Sequence, residues 1–104
     1  MGWLLVAFDL PVVEKEQRKI ATDFRKFLLD DGYHMLQYSV YARSMVSAAR
    51  LETHTRRLRA KIPDEGSVRA IYITEAQWQR SIIIHGKPAQ EHPPEEVPDQ
   101  MLLW

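Results

Sequence analysis

The residue whose type and place most directly suggest chemistry is Asp9. It closes the apolar run Trp3-Leu4-Leu5-Val6-Ala7-Phe8 and is followed at once by Leu10-Pro11. A carboxylate at the C-terminal end of a strand sits at the rim of a sheet, where open α/β architectures place their ligands. Burying it unpaired is costly, so it must be solvated, hydrogen-bonded or bound to a cation. An Asp between strand and helix also commonly just ends the strand or caps the helix, and both readings stand at this point. Glu14 and Glu16 follow within reach, but their helix positions predict that they face solvent.

The second set of chemistry-bearing residues is basic. Arg43, Arg50, Arg56, Arg57, Arg59 and Lys61 face Glu52 as the only acid in that stretch. Arg50, His54, Arg57 and Lys61 follow spacings of four, three and four, which predicts one stripe along a helix. At about 100° per residue it lies about 110° from the apolar face, reachable by solvent. Such a stripe, with Arg43 beside it, holds phosphates by charge and bidentate hydrogen bonds without reading bases. The plainer reading is a solvated helix face. Other residue types offer less. Ser39 has no base spaced to activate it. His34, His54, His85 and His92 lack zinc-like spacing, and the chain has no cysteine.

The elements that must position these groups are legible. Trp3 to Asp9 reads as a strand. A helix is predicted from Glu14 to about Asp30, with Val13, Gln17, Ile20, Phe24, Phe27 and Leu28 along one face, Gln17 breaking its apolar character. Asp31-Gly32 ends it. His34 to Arg43 reads as extended, bending near Tyr38-Ser39 into two short strands. Ser47 is placed to cap a second helix running to Ile62, stopped by Pro63, with Ala48, Leu51, Thr55, Leu58 and Ile62 facing inward. Val68 to Thr74 is a further strand. A link through Trp78 leads to a last one, Ser81 to His85.

At 104 residues, with 45% hydrophobic and 27% charged side chains, the chain reads as one soluble domain. The lack of cysteine, signal-like segment or long apolar run predicts a cytoplasmic protein without membrane contact. The net charge of zero hides an asymmetry: +4 over residues 1–87 and −4 over residues 88–104. The expected organisation is a domain over 1–85 and a proline-rich acidic arm over 86–104. The arm ends in Met101-Leu102-Leu103-Trp104. Met101, Leu103 and Trp104 are expected to dock on this body, a second copy or another protein.

The order β-α-β(β)-α-β-β predicts an α+β fold: a ferredoxin-like split βαβ sandwich, two helices on one face of an antiparallel sheet. The open face of such a sheet should be polar. Yet the strand over 3–8 and the segment Ala70-Ile71-Tyr72-Ile73 are apolar on both sides. A second copy packed face to face is the economical cover, giving a homodimer whose extra C-terminal strand completes the partner's sheet.

Leu5-Val6-Ala7-Phe8-Asp9-Leu10-Pro11, a helix carrying Arg18 and Phe24-Arg25-Lys26-Phe27-Leu28, then Gly32 and Gln37-Tyr38-Ser39-Val40-Tyr41 resemble the second core CRISPR-associated protein family. That family supplies the CRISPR-associated endoribonucleases that partner the CRISPR integrase in spacer acquisition. Together with Thr74-Glu75-Ala76-Gln77, the likeness is to the versions from single-effector systems, and it runs from about residue 4 to residue 84. The resemblance implies a ferredoxin-like homodimer that bridges integrase subunits and holds duplex DNA. It also implies that Asp9 is catalytic, sharing one Mg²⁺ with its copy in a second protomer, where a hard cation relieves the repulsion of two carboxylates. Such an ion would support hydrolysis of a phosphodiester. Two other functions fit the same fold: a stand-alone toxin-type ribonuclease, and a non-catalytic module binding single-stranded RNA.

Overall fold

The apolar run ending in Asp9 forms the first strand, β1 (Gly2–Asp9), and its alternation sets the layers of the molecule. Gly2, Leu4, Val6 and Phe8 are buried, Trp3, Leu5 and Ala7 are half-buried, and Asp9 is exposed. The computed structural model describes residues 1–81 and 84. After β1 come α1 (Lys15–Asp30), β2 (His34–Gln37), β3 (Val40–Met45), α2 (Ala48–Lys61), β4 (Ser67–Thr74) and the short α3 (Glu75–Gln79). The sheet runs β2-β3-β1-β4, every neighbour antiparallel. This is the ferredoxin-like α+β arrangement expected from the sequence. The bend at Tyr38-Ser39 is the turn between β2 and β3, as expected. The strand predicted over 81–85 and the arm over 86–104 lie, Ser81 and Ile84 apart, outside the described residues.

The core lies between the sheet's inner face and the helices, where Leu4, Val6 and Phe8 meet Phe24, Leu28, Tyr41 and Leu58. The Phe8 and Phe24 rings meet edge to face at 5.2 Å, a favoured aromatic geometry. Both helices bury the predicted face in part, Phe24, Leu28 and Leu58 in the core with Phe27 and Leu51 packed against it, but turned towards Ala21 and His54. In α1 the buried residues are Ala21, Phe24 and Leu28, while Val13 is 84% and Ile20 42% exposed. Gln17 explains the shift. Its Oε1 accepts from the backbone N–H groups of Glu14 at 2.9 Å and Val13 at 3.1 Å. It thus belongs to a capping box at the helix start rather than to an apolar stripe. In α2 the buried residues are His54 and Leu58, and Ile62, one end of the predicted face, is 42% exposed.

The predicted link through Trp78 is a helical turn. Thr74 Oγ1 accepts from Gln77 N at 3.2 Å while Gln77 Oε1 accepts from Thr74 N at 2.8 Å, a second capping box. It brings Trp78 flat onto Trp3, with ring centroids 4.1 Å apart. Trp3 Nε1 donates to Glu75 Oε1 at 2.9 Å. Hydrogen bonds from Gln79 and then Trp3 hold the Glu75 carboxyl below its usual range.

Tyr33 is buried, and among the described residues its hydroxyl has no hydrogen-bond partner. Burial, reinforced by the charge of Asp31, pushes its pKa from 10.0 up to about 12. Below pH 10 the ring is neutral whether folded or not; above it the unfolded chain ionises first. Stability should therefore fall as pH rises from 10 to about 12, by up to about 2–3 kcal/mol. Tyr33→Phe is expected to remove that part of the fall. Urea unfolding of both proteins on either side of pH 10 checks it, and identical pH profiles would refute it.

Candidate functional site

Asp9 is fixed by backbone on both sides. On one side the N–H of Phe8 donates to the carbonyl of Ser39 in the β2–β3 turn at 3.0 Å. On the other, Asp9 pairs with Ser67 at the start of β4. The preceding Gly66 has φ +88, and a Cβ there would run into the Asp9 carbonyl oxygen. Only glycine both tolerates that conformation and allows so close an approach. The carboxylate is therefore held at a defined point on the sheet's rim and left open to solvent.

On the outer face of the sheet Asp9 is the acidic end of a mainly apolar surface. Trp3, Leu5 and Ala7 precede it on β1; register places Ile73, Ile71 and Arg69 opposite them on β4. Val40 continues the surface on β3, opposite Ala7, while Ala42, opposite Leu5, is buried. The Trp3 ring is covered by Trp78.

A metal site asks for more than one carboxylate. Among the described residues no three His, Cys, Asp or Glu side chains gather into a cluster that could hold an ion. Glu14 and Glu16 do not help Asp9: they line a separate groove of about 480 Å³ with Leu10, Asp64 and Glu65. A single chain thus supplies one carboxylate at this point, and a magnesium ion held by two would take the Asp9 of a second copy, with water completing its shell.

The predicted basic stripe is broken by the fold. His54 is only 3% exposed and its Nδ1 lies 3.1 Å from Asp31 Oδ2, so it faces the interior. Arg57 Nη1 donates to Asp31 Oδ1 at 2.9 Å, although its side chain is 53% exposed. Arg43 Nη1 donates to the Asp31 carbonyl. Three of the five predicted phosphate contacts therefore converge on Asp31, just past the end of α1. What stays free toward solvent is Arg50 and Lys61, with Arg56 and Arg59 also exposed on α2. The position of Asp31 directly before Gly32 was the available signal, since that pair marks a helix end at which orphan carbonyls attract basic groups. Met101, Leu103 and Trp104, the predicted partner contacts, lie outside the described residues. Among the described residues no helix is long and apolar enough to cross a membrane.

Comparison with known proteins gives a consistent result. The family model described as "CRISPR associated protein Cas2" matches residues 1–81. A Paracidovorax avenae protein named CRISPR-associated endoribonuclease Cas2 is 42% identical over 102 residues, 98% of this chain and 93% of that protein. Its namesake from Acidovorax ebreus is 47% identical over 85 residues, 82% of this chain and 83% of its own. Among solved structures, Streptococcus pyogenes Cas2 at pH 6.5 superposes with a TM-score of 0.61 at 28% identity, covering 81% of this chain and 99% of that one.

Proposed function

Because the chain belongs to the CRISPR-associated Cas2 family, we propose that it works as a homodimer in spacer acquisition and carries a separable phosphodiesterase centre at Asp9. The observation that supports this best is the outer sheet face: an apolar surface ending in one open carboxylate. Two such faces packed together bury Leu5, Ile71 and Ile73 and bring the two Asp9 rims towards each other. A magnesium ion shared between them would supply Lewis-acid polarisation of a phosphoryl oxygen. The protein's part is to fix each carboxylate through the Gly66 and Ser39 contacts, and to exclude water from the rest of the seam.

In adaptation the same dimer bridges integrase subunits. Arg50, Lys61, Arg56 and Arg59, exposed on α2, hold duplex DNA by its phosphates, with the half-exposed Arg57 contributing from its anchored position. Binding of this kind is insensitive to sequence and weakens steeply with salt.

Asp9→Asn tests the division of labour. With purified integrase, spacer integration is expected to continue, while cleavage of single-stranded RNA falls about a hundredfold or more. Loss of both with the dimer intact would make Asp9 part of adaptation itself. Wild-type protein that supports no integration with its cognate integrase would remove the adaptation reading.

A further inference from the structure

The register of β4 places a cation beside Asp9 that the sequence did not single out. Ser67 lies directly opposite Asp9, and Arg69 lies opposite Ala7, so Asp9, Ser67 and Arg69 share the outer face at one end of the sheet. Arg69 is the diagonal neighbour of Asp9, and such neighbours stand about 7–8 Å apart, a span that a long side chain crosses. Both residues are exposed. Among the described residues the ion pairs are Lys19–Asp23, His54–Asp31 and Arg57–Asp31, and neither Asp9 nor Arg69 joins one.

An open carboxylate and an open guanidinium side by side, uncollapsed into a salt bridge, leave room for a third group. The group must suit both. A lone carboxylate repels a phosphodiester; a guanidinium attracts it and grips two of its oxygens at once. The hydroxyl of Ser67, exposed between them, adds a neutral donor. We propose that Arg69 is the phosphate-positioning residue of the Asp9 centre, holding the phosphodiester of single-stranded RNA against the carboxylate. The inference rests on reading Asp9 as the reaction centre, but its first readout is independent of turnover.

Arg69 acts by charge whether or not a metal is present. Its contribution is therefore visible in EDTA, as binding of an uncleavable 2′-O-methyl RNA to the full-length protein. Arg69→Gln is expected to weaken that binding about tenfold, the worth of one charge-assisted contact. The salt dependence should become shallower by about one phosphate contact per site. Arg69→Lys keeps the charge and should recover much of the affinity. Asp9→Asn, by removing the opposing charge, should tighten binding under the same conditions. A strand surface site of this exposure should leave melting unchanged. If Arg69→Gln binds as wild type, or weakens with an unaltered salt slope, the assignment is overturned. In magnesium, a wild-type protein that cleaves no RNA would overturn the Asp9 reading alone, because the EDTA titration still decides on Arg69.

Discussion

Asp31→Ala is expected to lower the unfolding free energy by about 2–4 kcal/mol, the largest loss from any single acid among the described residues. Three basic side chains depend on this residue. His54, 3% exposed, has its Nδ1 at 3.1 Å from one carboxylate oxygen; Arg57 donates to the other at 2.9 Å. Arg43 reaches the backbone carbonyl, over Gly32, where a Cβ would strike its guanidinium. The contacts tie α2 and β3 to the end of α1. Removing the carboxylate leaves a buried imidazole nitrogen without its partner, and such a group loses its full desolvation cost rather than the modest net value of one hydrogen bond. Asp31→Asn keeps an acceptor for His54 but loses the charge that holds Arg57, so about half the loss is expected. The Arg43 bond to the backbone carbonyl survives both changes. Urea unfolding with unchanged slope measures the difference, and a loss under about 0.5 kcal/mol in the alanine variant would show that the three basic groups are held by something else.

That cluster also marks where the sequence stopped being informative. The strand and helix order was legible because each element carries its own signal: alternation through Leu4, Val6 and Phe8, Ser47 as a cap, Asp31-Gly32 as a stop. The helix faces were harder. Periodicity ranks residues by apolarity, so it put Ile20 and Ile62 inward. The fold instead buries Ala21, and a histidine made tolerable by a carboxylate 23 positions away. A polar residue becomes a core residue only through a distant partner, which spacing alone cannot show. The same limit explains the rim. Asp9 stood out locally as the end of an apolar run, whereas Arg69 gains meaning only from antiparallel register, which pairs Ala7 with Arg69 and Asp9 with Ser67.

Ile71→Glu is expected to turn the proposed dimer into a folded monomer. Ile71 lies opposite Leu5 in the middle of the outer face and is 42% exposed in the single chain. A glutamate there costs the isolated protomer little, since solvent reaches it. Pressed against a second apolar sheet the same carboxylate is desolvated without a partner, and in a twofold arrangement each interface takes two such charges. A penalty of about 3–4 kcal/mol raises the dissociation constant by roughly two to three orders of magnitude. Light scattering on a sizing column should then give half the wild-type mass, with the helical circular-dichroism signal preserved. Because one chain supplies a single carboxylate to the proposed ion, the monomer should also lose RNA cleavage as completely as Asp9→Asn, although its own Asp9 and Gly66 are untouched. The two readouts together separate the possibilities. A monomer that still cleaves RNA would place the whole centre within one chain and remove the shared ion. A dimer of undiminished strength would mean that copies meet elsewhere, leaving the apolar face around Leu5 and Ile71 for another partner and the two Asp9 rims apart.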